Sequence, residues 1–350
     1  MSSKYGWGAF RIVAAVATVS AGLTAAGVAW ADDWAAVEAA AKQEKTIVLY
    51  SPASDLSDAI IAGYTKAYPW AEIKTVVASP GVLTSRAVTE AKANAPTADV
   101  IMVPRGNQKA LVGGDVVVVS QVPNDAGMTP SNVDSSYRSH PVYINPIVFL
   151  YNTTAVQPAD LPKDVYGMTD PKWKNKIAFD RPSNAATGAD FLASPRTAWG
   201  DDKWMAWLKG LQANNIFITP DGTSAYQAAL RGDASFAVQS ANQLSGIDPN
   251  TPMKAFAYDN VVNFVQSIWL TKNAAHPNAA KFFINWLISA DGQKVIADSG
   301  RAPALDSVPS PLAPVMPPPS EVKYAPGNSL DDFYADPDKY LAVYNQFWPN

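Results

Sequence analysis

Thr46-Ile47-Val48-Leu49-Tyr50 is an unbroken run of apolar and β-branched residues. A strand with that pattern is buried on both faces, as in a parallel sheet. Ile73 to Val77 and Asp99-Val100-Ile101-Met102-Val103 repeat it. Between the first two runs, Leu56, Ile60 and Tyr64 recur at helical spacing until Pro69; between the second two, Ser79-Pro80-Gly81 turns into a helix carrying Leu83, Ala87 and Ala91. Strand, helix, strand, helix, strand is the alternation of a parallel α/β sheet. Ligands of such sheets sit beyond the carboxyl ends of the strands. That rule puts Ser51, Ser54, Ser79, Gly81 and Arg105 on one rim, although each is equally at home in a turn.

Working outward, Trp34 to Lys42 reads as a helix that precedes the first strand. Downstream, Val142 to Tyr151 reads as a long strand or crossover, and a second α/β unit follows. Its strands are Lys176 to Phe179, Ile216 to Ile218 and Ala234 to Val238, the last leaving Gln239, Ser240 and Asn242 at its exit. Trp204, Trp207, Leu208 and Leu211 mark one helix face, and Ser224 opens another helix through Leu230. A third part begins near Val261, with a strand from Val262 to Leu270 and a helix started by Pro277. Residues 301–320 hold seven prolines and read as an extended strap. Asp331 to Phe347 reads as a docking helix.

Lys4 and Arg11, an uncharged run from Ile12 to Val28 and Ala29-Trp30-Ala31 make a secretory signal peptide cleaved after Ala31. Its removal takes the net charge from −4 to −6. An acidic chain disfavours a broad nucleic-acid or anionic-membrane surface. No later segment is apolar long enough to span a bilayer. Cysteine is absent, which excludes disulfides, thiol catalysis and thiolate metal sites.

The run Asp180-Arg181-Pro182-Ser183-Asn184-Ala185-Ala186-Thr187-Gly188 joins a short strand to a helix start. Such a junction offers backbone N–H groups and a positive dipole end to a small polar or anionic ligand. Ser183, Asn184, Thr187 and Gly188 are the ligand candidates; ordinary helix capping is the competing reading. Arg105 and Arg181 lie just past strands, where a guanidinium can grip a carboxylate or phosphonate with two bonds. Arg86 lies one turn into a helix. Tyr143 and Asn145 stand at the crossing, Ser224 near a helix start, and Ser240 and Asn242 at a strand exit.

His140, in an expected loop, and His276, before Pro277, are the only histidines, with no spacing that suits zinc. No G-x-S-x-G elbow, P-loop or G-x-G-x-x-G occurs. The expectation is therefore no catalytic residue, no cofactor and no resident metal. An exported α/β enzyme is the rival class, since a carboxylate pair has no spacing that would reveal it.

Leu150-Tyr151-Asn152, Thr169-Asp170-Pro171-Lys172-Trp173-Lys174-Asn175-Lys176-Ile177-Ala178 and Asn278-Ala279-Ala280-Lys281-Phe282-Phe283-Ile284-Asn285-Trp286-Leu287 stand in this order behind the signal peptide. With them the chain resembles the periplasmic solute-binding proteins of ABC importers, in the branch that includes ferric-ion-binding proteins and their small-molecule-binding relatives. The resemblance implies an α/β, two-lobed periplasmic-binding-protein-like fold of type II. Each lobe is a mostly parallel sheet flanked by helices, with the ligand cleft between them. Lobe 1 would be 32–145 with 260–302; lobe 2 would be 146–259 with the strap and C-terminal helix, 303–350. It also implies a periplasmic monomer that takes a small-molecule solute to an inner-membrane ABC permease and its ATPase. Iron-binding members carry two adjacent tyrosines after the strand that here is Ser235 to Val238. This chain has Gln239-Ser240-Ala241-Asn242-Gln243 there. Hydroxyls, amides and arginines suit a polar organic anion or a polyol better. The expected ligand is a phosphonate, organic acid, sugar phosphate or polyol, with ferric iron in a non-standard site as the alternative.

Overall fold

The structure, a computed structural model, describes Met1 and residues 33–128, 132–134, 136–183, 187–244, 248, 250–256, 259–314, 316, 322–325, 330, 332–333 and 336–349. The signal-peptide reading, Asn184, Asp331 and part of the strap lie outside these residues. Contacts divide the chain into Met1–Trp30 and Ala31–Asn350, and the described helices and strands lie in the second unit.

The alternation read from the sequence is present. Helix α1 (Trp34–Glu44) starts where the Asp33 side chain accepts from the Ala35 N–H. Strand β1 (Thr46–Ser51), α2 (Ser54–Ala67), β2 (Glu72–Val77), α3 (Pro80–Lys92) and β3 (Val100–Pro104) follow. Pro80 stands in the first turn of α3, where a missing N–H costs nothing. Ile47 and Leu49 of β1 and Leu56, Ile60 and Tyr64 of α2 have no solvent exposure. Each such side chain contributes about 1.5–3 kcal/mol of burial.

After the short helix α4 (Gln108–Gly113) the chain enters β4, His140–Asn152, thirteen residues long. His140 is thus the first residue of a strand and fully buried, not a loop residue. The second unit supplies β5 (Ile177–Asp180), α5 (Thr187–Ala193), α6 (Pro195–Trp199), α7 (Asp201–Ala213), β6 (Phe217–Thr219), α8 (Gly222–Arg231), β7 (Phe236–Ser240) and β8 (Met253–Phe256). The start of α8 and the end of β7 differ from expectation. Helix α8 opens at Gly222 because the Asp221 side chain caps it by accepting from the Ser224 N–H. Gln239 and Ser240 are the last residues of β7 itself, because its pairing with β4 runs to Ser240.

Then come β9 (Asp259–Val261), β10 (Asn263–Leu270), α9 (Pro277–Leu287), α10 (Ala290–Asp298), β11 (Ala302–Pro303), β12 (Lys323–Tyr324) and α11 (Pro337–Phe347). The proline-rich strap therefore begins with a short strand that pairs with β4. The C-terminal helix starts at Pro337 because Asp336 caps it, accepting from the Lys339 N–H.

The main sheet has ten strands, in the order β2-β1-β3-β10-β4-β7-β5-β6, with β8 and β11 also on β4. β2, β1 and β3 are mutually parallel, as are β7, β5 and β6. Between the two groups, β10 and β4 run antiparallel to their neighbours. Apolar packing follows this division only in part: one core runs from Ile47 and Leu49 of β1 across Val148 and Leu150 of β4 to Ala178 of β5 and Ala237 of β7. Tyr64 meets Phe283 and Trp286 on the β1–β3 side. Phe149, Phe179, Phe191, Trp207, Phe236 and Tyr344 fill a core on the β5–β7 side, so α11 docks there.

Candidate functional site

The strand registers locate the site. β3 ends at Pro104, opposite Gln266, and Gln266 faces Tyr143 of β4. β7 ends at Ser240, opposite Ile147 of the same strand. β1 and β2 run with β3, and β5 and β6 run with β7. The carboxyl ends of both parallel groups therefore point at the middle of β4, residues 143–147. In open α/β sheets this is where ligands bind.

On the first side, Ser51 is fully buried and its hydroxyl lies 2.7 Å from that of Ser57. Ser54 is exposed as the first residue of α2. Ser79 is the N-cap residue of α3 without a side-chain capping bond, and a side chain at Gly81 would meet open space. The Arg105 guanidinium donates to the carbonyl of Asn132. Asn132 in turn donates to Ala304 and accepts from Asn263 of β10. Burial opposes ionisation of nearby Asp134, but hydrogen bonds from Ser136 and Ser139 and the charge of Arg105 hold its carboxyl below the ordinary range. Arg86 is committed elsewhere. It pairs with Glu90 at 2.7 Å and lies over Tyr50, whose phenol burial and Glu90 push up to about 12.

On the second side, two of the expected backbone donors, those of Thr187 and Gly188, face a carboxylate of the chain itself. The Gly188 N–H donates to Oδ1 of Asp180 at 2.6 Å. Burial pushes the Asp180 carboxyl up, and the backbone N–H groups of Gly188 and Thr187 pull it back. A Cβ on Gly188 would strike the Asp180 carbonyl oxygen, so only glycine allows this approach. The N–H groups of Thr187 and Gly188 thus serve the protein's own Asp180 carboxylate. Arg181 is exposed and donates to the Pro349 carbonyl at 3.2 Å. Ser183 is exposed, and Ser224 is half-buried with its N–H held by Asp221.

At the centre, Asn145 gathers the second side. Its Oδ1 accepts from the Ser240 hydroxyl at 2.6 Å and from the Asn242 N–H at 3.0 Å. Asn242 then accepts from the Ala302 N–H at 3.4 Å. A Cβ on Gly222 would collide with Oε1 of Gln239, which itself accepts from the Ser240 N–H. Hydroxyl and amide groups are therefore packed at the end of β7, where the chain has no tyrosine pair.

Sequence reading missed the charged group at this centre. Arg301 donates to Asp55 Oδ2 at 2.8 Å and lies 5.9 Å from the ring centre of Tyr143. It arrives there because β11 pairs Ala302 with Ile144 and Pro303 with Tyr143. Burial raises the Tyr143 phenol, with Arg301 opposing that rise. No local motif announces Arg301; the only hint is the Ala302-Pro303 step that follows it, which suits a short edge strand.

A serine, a histidine and a carboxylate do line up elsewhere. Ser120 Oγ is 2.9 Å from Nε2 of His140, and Asp125 Oδ1 is 2.8 Å from Nδ1. All three side chains are buried, and the other Asp125 oxygen accepts from the Val122 N–H. The chain of bonds pins the segment before β4 to its first residue. Among the described residues no group of three or more His, Cys, Asp or Glu is placed to hold a metal ion. A pocket of about 200 Å³ between α7 and α11 is lined by Arg196, Trp204, Met205 and Tyr340, none of them from the middle of β4.

The sequence pattern of the bacterial extracellular solute-binding proteins matches residues 59–323. The Fe(3+)-binding periplasmic protein of Serratia marcescens is 26% identical over 278 residues, covering 73% of this chain and 78% of that one. A Salmonella typhimurium periplasmic protein named for 2-aminoethylphosphonate binding is 25% identical over 175 residues, 47% of this chain and 51% of that one. For that protein and others among the first curated relatives, the chain spans about half of their length. The iron- and citrate-bound structure of the Trichodesmium protein IdiA superposes with a TM-score of 0.73 at 20% identity, over 85% of this chain and 98% of that one.

Proposed function

The chain belongs to the bacterial extracellular solute-binding protein family, and from that premise we propose that it captures a small, polar, anionic organic solute at the middle of β4. The carrying observation is Arg301, a guanidinium held beside Tyr143 at the meeting point of both sets of strand ends. A guanidinium matches the oxygen geometry of a carboxylate, phosphonate or phosphate. Asn145, Ser240 and Asn242 add neutral polar groups at the same place. The Salmonella typhimurium relative named for 2-aminoethylphosphonate binding supports an anion.

In this reading, 32–145 with 260–302 form one lobe and 146–259 with 303–350 the other. β4 and β10 are the crossings about which the lobes close on solute. The protein is exported, loses residues 1–31 and works as a periplasmic monomer. It hands its solute to an inner-membrane ABC permease driven by an ATPase, and it performs no catalysis.

Ferric iron is the second reading, favoured by the Serratia relative. The end of β7 works against it: Gln239 and Ser240 stand there with amide and hydroxyl oxygens, and these suit a hard trivalent cation less well than phenolates do. A thermal-shift screen of the metal-free mature protein decides between them. The screen spans phosphonates, organic acids, sugar phosphates, polyols and ferric salts. A solute at a hundred times its Kd stabilises by about 2.7 kcal/mol. Stabilisation by ferric salt alone, with a phenolate charge-transfer band, would overturn the organic-anion reading.

A further inference from the structure

We propose that Asp55 is a built-in stand-in for the acid group of the solute, holding Arg301 until an anionic solute displaces it. The proposal rests on the reading of Arg301 given above and narrows the solute class. A polyol has no charge with which to compete for a guanidinium already paired to a carboxylate; a phosphonate, phosphate or carboxylate does.

The two partners are held very differently. Arg301 is fixed from behind. Its Nη1 donates to the Ser299 carbonyl at 3.2 Å and the Ser299 hydroxyl at 3.3 Å. Its side chain is only 16% exposed, while that of Asp55 is 70% exposed. The next residue, Ala302, is tied to β4. Asp55, by contrast, stands in the first turn of α2 on the rim. Released from Arg301, it keeps the favourable end of that helix dipole for its charge. Letting go therefore costs Asp55 less than it costs Arg301, which is the more buried of the two and is held by Ser299. An ion pair with one such exposed partner holds by a factor of only about two to five. A solute that offers two oxygens to the guanidinium, with Tyr143 and Asn145 alongside, exceeds that factor.

The exchange predicts a gain of function. Isothermal titration of the full mature chain with 2-aminoethylphosphonate, citrate and inorganic phosphate is compared for wild type, Asp55→Asn and Arg301→Gln. Asp55→Asn is expected to tighten the binding of whichever anion wild type takes by about two- to fivefold, since competition for Arg301 is removed. Arg301→Gln is expected to weaken it at least tenfold. In wild type, the Asp55 carboxylate followed by carbon NMR should move towards an ordinary titration as anion is added, because its depressed value comes first from Arg301. Anion binding by wild type that is unchanged or weakened in Asp55→Asn would overturn the stand-in and leave the proposed function intact. Failure of every anion to bind wild type and Asp55→Asn alike would overturn both.

Discussion

Two places in this molecule bring positive polarity next to a carboxylate at the ends of parallel strands, and they have opposite characters. At the β5–α5 junction the backbone N–H groups of Thr187 and Gly188 serve Asp180, which is buried and only eight positions away. At the centre of β4 the Arg301 guanidinium serves Asp55, which is exposed and 246 positions away. The first contact is a closed local cap whose parts cannot separate without leaving buried polar groups unpaired. The second is an open contact with one movable partner. The acceptor is buried in the first, at Asp180, and exposed in the second, at Asp55, and the proposed exchange of acceptor for solute needs the second arrangement.

The largest test of this contrast is Gly188→Ala. Its Cβ would press on the Asp180 carbonyl and lie 2.8 Å from Oδ1. A loss of about 3 kcal/mol in urea denaturation is expected from such overpacking; a change below about 0.5 kcal/mol would show that the cap is looser than described. Next is Arg301→Gln, which should weaken anion binding at least tenfold, about 1.4 kcal/mol, with a smaller loss in Arg181→Gln. Equal losses in the two would erase the distinction between the regions.

The smallest effects lie in pH, where the two carboxylates pull in opposite directions. Burial raises the Asp180 carboxyl, so the folded chain holds that proton more readily than the unfolded chain does. Its favourable contribution is complete below the unfolded value and is lost as pH rises through the higher folded value. Asp55 is lowered, first by Arg301. Its contribution is present above the unfolded value and fades as pH falls through the lower folded value. Asp180→Asn should therefore flatten a decline in stability just above the ordinary carboxylate range. Asp55→Asn should remove a weaker loss just below that range. Melting temperatures of both variants against wild type, between pH 2.5 and 6, would show it. Slopes of the same sign would contradict the described surroundings.

Periodic signals were legible because they are local. The apolar run of β1 and the Trp204, Trp207, Leu208 and Leu211 stripe of α7 appear at their expected places. Pro80 and Pro277 stand at helix starts as read. Errors came where a side chain chose a partner. His140 looked like a loop residue because its bonds to Ser120 and Asp125 are invisible in a linear pattern. Ser224 looked like a helix opener because it shares cap chemistry with Asp221, which won the position. The rim residues Ser51 and Arg105 were placed at the right end of the sheet, yet Ser51 is buried against Ser57 and Arg105 is turned to Asn132.

The sequence by itself determined the α/β alternation, the end of the sheet that carries the polar residues, and the amide-and-hydroxyl run at Gln239 to Asn242. These depend on periodicity and residue type within a few turns of chain. Only the tertiary structure decided which charges meet. Pairing Ala302 with Ile144 carries Arg301 to Tyr143 and Asp55, and the fold of the β5–α5 junction turns the N–H groups of Thr187 and Gly188 to Asp180. Both depend on register and reach across the sheet, and electrostatic partnership is a property of distance in space.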